Sequence, residues 1–158
     1  SNMIWPAILV IVGIAIMIKI FLPKKTHHKR IGNKSGSGFS EEINSEDYFD
    51  VSKVFSGGNI VVKSQNFKGG NASFVFGGGE IDFRQAQLAE GTNILKIECV
   101  FGGAKIFVPD TWDLSIETSG VFGGFTDDRH SVNLEKIDKT RKLVIKGETV
   151  FGGGEILN

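Results

Sequence analysis

Two hydrophobic patterns divide the chain. From Ile4 to Leu22, nineteen residues are almost continuously apolar and carry a single charge, Lys19. Beyond about residue 50 the apolar residues alternate with polar ones, the period of a half-buried strand. Leu95-Lys96-Ile97, Leu114-Ser115-Ile116 and Leu143-Val144-Ile145 each place apolar side chains two residues apart. No segment after residue 40 keeps a helical apolar period. Residues 85–90 have room for one turn at most.

The alternation is punctuated by a repeat. The phrase Val-Phe-Gly-Gly, or a near copy, begins at Val54, Val75, Val100, Val121 and Val150. Its Phe residues are Phe55, Phe76, Phe101, Phe122 and Phe151, at intervals of 21, 25, 21 and 29 residues. The paired glycines are Gly57 and Gly58, Gly77 and Gly78, Gly102 and Gly103, Gly123 and Gly124, and Gly152 and Gly153. Ile60, Ile81, Ile106 and Ile156 share the fifth position after Phe, and a polar residue precedes each. Each unit therefore reads as strand, glycine corner, strand and polar loop. Glycine admits positive φ and close backbone approach at a corner, and equivalent Phe rings are expected to stack in neighbouring units. The fourth copy departs from the pattern: Phe122-Gly-Gly-Phe125-Thr-Asp127 lacks the Ile, and a bulge or altered edge is expected there.

A fixed period of this kind implies stacked structural units. The expected fold is all-β: a right-handed, single-stranded β-helix (β-solenoid) of about five coils, one for each copy of the repeat, preceded by one transmembrane helix. The alternative is a β-sandwich of similar short strands. The expected boundaries are residues 1–2 as a remnant of tag removal, 3–23 as the membrane helix, 24–40 as a basic linker and 41–158 as the solenoid domain. Residues 39–50 are acidic and suit a short cap on the first coil.

The membrane reading rests on length and flanks. Nineteen apolar residues come close to spanning the hydrocarbon core. Trp5 suits one interface, Lys19 can snorkel to the other, and Pro6 falls in the first turn. A cleaved signal peptide would have a shorter apolar run and its positive charge before that run. Here Lys24, Lys25, Lys29, Arg30 and Lys34 follow it. The positive-inside rule then places the domain in the cytoplasm.

The chain has 18 basic and 18 acidic residues, but they are segregated. Six of the basic residues and none of the acidic ones precede Glu41, so the remainder is acidic by six. An acidic domain without a basic face argues against nucleic acid as a partner. Cys99 is the single cysteine, so no intrachain disulfide forms.

Candidate chemistry is sparse. Glu80 and Asp82 flank Ile81 and share a strand face, as paired carboxylates in a glycosidase do. The matching positions in other copies are Asn59 and Val61, Lys105 and Phe107, and Glu155 and Leu157, so solvent-facing polarity explains the pair better. Asp127-Asp128 and His27-His28 are weak metal motifs. His130 has no accompanying nucleophile motif, and Cys99 reads as a packed thiol beside a buried corner. The glycine runs lack the Lys-Ser/Thr of a phosphate loop. The pattern predicts no enzyme, no cofactor and no metal. Trp112 is the one candidate partner contact, with core packing as its alternative.

The run Val75 to Leu88, then Gly91 to Ile97, Val100 to Pro109 with Asp110-Thr111-Trp112, and Val121 to Gly124 resembles the C-terminal domain of LiaF-like proteins, the cell-wall-active antibiotics response family. The resemblance covers roughly residues 50–158. It implies a membrane-anchored accessory protein of bacterial envelope-stress signalling, whose family role is restraint of a membrane sensor histidine kinase. It carries no catalytic residues. The alternatives are a self-assembling scaffold, because solenoid ends expose strand edges that permit homo-oligomers, and a carbohydrate-active β-helix.

Overall fold

A computed structural model describes residues 4–21, 41–55 and 57–158. The chain divides into two units, one containing α1 and the other all the strands.

Helix α1 spans Ile4–Phe21, 18 residues. Its apolar side chains from Ile4 to Ile16 point into solvent. At 1.5 Å per residue it rises about 27 Å, slightly less than the hydrocarbon thickness. No helix among the described residues is long and apolar enough to cross a membrane.

The described strands form one eight-stranded sheet: β1 (Glu41–Asn44), β2 (Tyr48–Lys53), β3 (Gly58–Val62), β4 (Gly69–Asp82), β5 (Gly91–Phe107), β6 (Asp113–Phe122), β7 (Phe125–Asp127) and β8 (Arg141–Leu157). Every ladder is parallel, unlike the antiparallel pairing of a sandwich. The long strands β4, β5 and β8 run through their Phe-Gly-Gly corners, giving each a first and a second arm. In the first copy β2 and β3 are the two arms. In the fourth, β6 and β7 are. β1 pairs with β3, so some of the acidic segment expected to cap the first coil joins the sheet itself.

Register follows the repeat. Ile81 pairs with Ile106 and Ile106 with Ile156, while Leu95 pairs with Ile145. Ile60, Ile81, Ile97, Ile106, Leu143, Ile145 and Ile156 are buried in one core with Phe67, Phe74, Phe83 and Leu88. Returning segments complete that core. Phe67 bridges Leu88 in parallel, its N–H donates to the Gln87 carbonyl at 2.8 Å, and the Ala89 N–H donates to the Phe67 carbonyl at 2.9 Å.

The order of strands differs from a simple succession of coils. The sheet order is β1-β3-β4-β5-β8-β6. The fifth copy, β8, lies between the third and the fourth, and it pairs with β5 on one side and with β6 and β7 on the other. The connection from β5 to β6 therefore steps two places along the sheet, and the return to β8 steps back one. The physical reason lies in the copies themselves. β8 has the full alternation and fills its inward positions, as an internal strand requires. The fourth copy lacks the Ile and is interrupted at Gly123–Gly124, which suits an edge. The sheet consequently does not end on its last strand in sequence.

Candidate functional site

The five corners build one continuous surface feature. Where β4, β5, β8 and β6 adjoin, the ladder skips the Val column and resumes at Phe: Phe74 pairs with Cys99, then Phe76 with Phe101. The same gap separates Cys99–Thr149 from Phe101–Phe151, and Gly120–Thr149 from Phe122–Phe151. An interruption of this kind shifts the alternation by one residue, as a bulge does. Phe, which would continue the inward parity of the first arm, is turned outward. The corner is therefore not buried. Phe55 is 81% exposed, Phe122 63%, and the three Phe residues between them 37–44%.

The rings stack. Phe55–Phe76, Phe76–Phe101, Phe101–Phe151 and Phe151–Phe122 have centroid separations of 5.2, 5.1, 5.1 and 5.0 Å, with planes within 9° of parallel. The spacing is close to the 4.7–4.9 Å between strands. The sheet thus sets the aromatic row, and its order repeats the interchange of the last two copies. Val121 and Val150 widen the apolar surface at one end.

The glycines follow this row along the strands. An open groove of about 840 Å³ is floored by Gly57–Gly58, Gly78–Gly79, Gly103–Ala104 and Gly153–Gly154. Its rim carries Asn59, Glu80, Lys105, Glu155 and Thr126, in spatial order. Gly102 has φ +138°, and a Cβ there would collide with the Gly77 carbonyl oxygen. A side chain at that corner would therefore strain the backbone and push the neighbouring strands away from each other. The groove offers peptide backbone and mixed charge, without a nucleophile paired to a base.

The remaining candidates have local partners. Asp82 accepts from Arg84 Nη2 at 2.7 Å, which with the adjacent guanidinium charge holds its pKa below the ordinary carboxylate value. Glu80 lies on the groove rim instead. Asp127 is held the same way by Arg129, and Asp128 accepts from Thr126 Oγ1 at 2.8 Å. Among the described residues no cluster of three His, Cys, Asp or Glu is placed to hold a metal; His27-His28 lies outside the described residues. His130 is exposed, and its backbone N–H donates to Asn158 Oδ1. Cys99 is 1% exposed, and burial pushes its thiol up to about 11, leaving it protonated and unreactive at neutral pH.

Trp112, the candidate partner contact, takes the core-packing alternative. It is 8% exposed, its ring lies 5.7 Å from Phe83, and it belongs to the core. The short β5–β6 connection carries it into the core beside Phe83. The exposed aromatic row was not legible as a surface, because Val-Phe before glycine gives no sign of which residue faces out.

No match was found among curated proteins or among solved structures. Residues 55–152 match the family model described as cell wall-active antibiotics response LiaF, C-terminal. That match covers more than half of the chain and takes in all five corner Phe residues, and the chain belongs to the LiaF-like family.

Proposed function

We propose that this chain is a membrane-anchored regulator of the bacterial cell-envelope stress response, and that its domain works by binding protein rather than by catalysis. The observation that carries the proposal is the exposed row of five stacked Phe rings on a rigid parallel sheet. Apolar side chains held outward at fixed spacing have no folding role that requires their exposure, and contiguous exposed apolar surface is characteristic of interaction sites. Family membership supplies the context of envelope stress, and restraint of a sensor histidine kinase is the specific role proposed.

Anchoring belongs to the same proposal. Support comes from the apolar side chains of α1, which are exposed from Ile4 to Ile16, and from the basic residues after it, which favour the cytoplasmic side of the inner membrane for the domain. In the same reading the domain is a right-handed β-helix of five coils with its last two interchanged in space. A carbohydrate-active role has less support, because Asp82, half of the Glu80–Asp82 pair, is committed to Arg84.

A transcriptional reporter of envelope stress, in cells carrying the full chain, tests this function. Replacing Phe76 and Phe101 together by Ser should raise basal signalling toward the level of the deletion strain, with the protein still present at its normal amount. Unchanged basal and antibiotic-induced signals in both strains would overturn the regulatory reading.

A further inference from the structure

We propose that the outer edge of β6 is a docking site for an extended segment of a partner protein carrying basic side chains. This inference is independent of the kinase reading. It rests on three features of one strand.

The first is an unfinished core. Leu114 and Ile116 pair in register with Leu143 and Ile145 of β8. The β8 residues are 0% exposed, whereas Leu114 and Ile116 are only partly buried against the same core. At the opposite end of the first-arm sheet, the edge strand β2 buries Phe49 to 3% and leaves Val51 partly buried. β2 thus buries one of its two inward apolar side chains, and β6 neither of its own.

The second is the backbone. Among the described residues β6 pairs with β8 alone, and the outer edge of a parallel strand presents N–H and C=O groups ready for another strand. β2 is protected differently. Its Lys53 occupies the inward column of Phe74, Cys99 and Thr149, with its stem against Gly58, and an inward charge on an edge strand opposes strand addition. β6 has Gly120 in that column.

The third is charge. β6 contains Asp113 and Glu117 and no basic residue; on its inner side they are in register with Lys142 and Lys146 of β8, the Lys146 ammonium 3.9 Å from Glu117, so a basic strand on the outer side would continue an alternation of charge across the sheet. A second copy fits poorly: stacking β6 on β2 in the register of the repeat sets Glu117 beside Asp50, and pairing β6 with itself joins two acidic strands. An added strand with basic side chains opposite Asp113 and Glu117 and apolar ones over Leu114 and Ile116 satisfies all three features, in the manner of β-augmentation.

The test uses the full chain in lipid nanodiscs with two ten-residue probes, an alternating Val-Lys peptide and an alternating Val-Glu peptide. Anisotropy titrations should give the Val-Lys peptide at least about tenfold higher affinity, a preference that shrinks as salt rises. Hydrogen exchange should slow at β6 amides and not at β2. The double variant Asp113→Asn, Glu117→Gln should weaken the Val-Lys peptide about fivefold at an unchanged melting temperature. Thr118→Lys, which places a charge over the open core, should weaken both peptides. Equal affinity for the two peptides, or protection away from β6, would overturn the proposal. So would β6 protection that rises with protein concentration in the absence of peptide, which would assign the edge to a second copy.

Discussion

The ring of Phe74 occupies the space that a Cβ on Gly79 would fill. The two residues face each other across the corner of β4, and the ladders carry the same pairing through the sheet. Phe74 and Gly79 are in register with Cys99 and Ala104, these with Thr149 and Gly154, and these with Gly120 and Phe125. Large faces small in β4, intermediate faces small in β5 and β8, and the order reverses in the fourth copy. There the Phe125 ring lies over Gly147 and Gly154 of the neighbouring strand. Each corner has room for about one ring, and the sequence divides that room differently in each layer.

A double-mutant cycle at this pair measures the constraint. Gly79→Ala alone is expected to cost about 1–3 kcal/mol through overpacking. Phe74→Cys alone should cost about 3–5 kcal/mol through the cavity it leaves. Together they recreate the Cys99–Ala104 pair of the next strand, and the double variant should be more stable than the sum of the singles predicts by over about 1 kcal/mol. Additive losses in denaturant unfolding would contradict the shared-space account.

The strand order has its own test. Lys105 is in register with Glu155, and Glu155 with Thr126. Cysteines replacing Lys105 and Glu155 would sit about 4.8 Å apart, within disulfide reach, while cysteines replacing Lys105 and Thr126 would sit about 9.6 Å apart. Mild oxidation should link the first pair and not the second. The reverse result would restore a sequential stack of coils.

Thr149 Oγ1 is buried with no hydrogen-bond partner among the described residues. Thr149→Val removes the lone hydroxyl and keeps the side-chain volume. It should stabilise the domain by about 1 kcal/mol, seen as a higher melting temperature.

Acid should weaken the domain. Asp47, Asp82, Asp127 and Asp138 all have pKa values held below the ordinary 3.8, by hydrogen bonds from Ser64, Arg84, Arg129 and Thr140 respectively. Their folded-state values lie below the unfolded ones, so their stabilisation is present above about pH 4 and is lost as the pH falls through the folded values. Melting temperature should drop between pH 5 and about 2, and the combined Asp82→Asn, Asp127→Asn variant should show a shallower drop.

Much of the fold is legible in the residues alone. The recurrence of Phe-Gly-Gly with Ile five residues after each Phe marks both arms and the corner, because alternation and glycine are local signals. The irregular fourth copy, with Phe125-Thr-Asp127, signals an edge. Two features are hidden for physical reasons. The interchange of the last two copies depends on which strands can satisfy two neighbours, a property of the whole sheet that connection lengths do not encode. The outward turn of Phe76 and its equivalents depends on a ladder gap at the Val column, and Val and Phe are both apolar enough to fill a core. Trp112 is ambiguous for a related reason: an aromatic ring after Pro109 suits an anchor and a core plug equally well.

The most direct measurement of the central claim is site-specific crosslinking in cells. A photo-activated amino acid replacing Phe101, in the middle of the aromatic row, is compared with one replacing Lys142 on the first arm of β8, using the full membrane-borne chain. The account predicts that position 101 links to an envelope-stress sensor kinase while position 142 does not, and that Phe76→Ser weakens the link. Equal labelling from both positions, or no envelope-signalling protein from position 101, would contradict it.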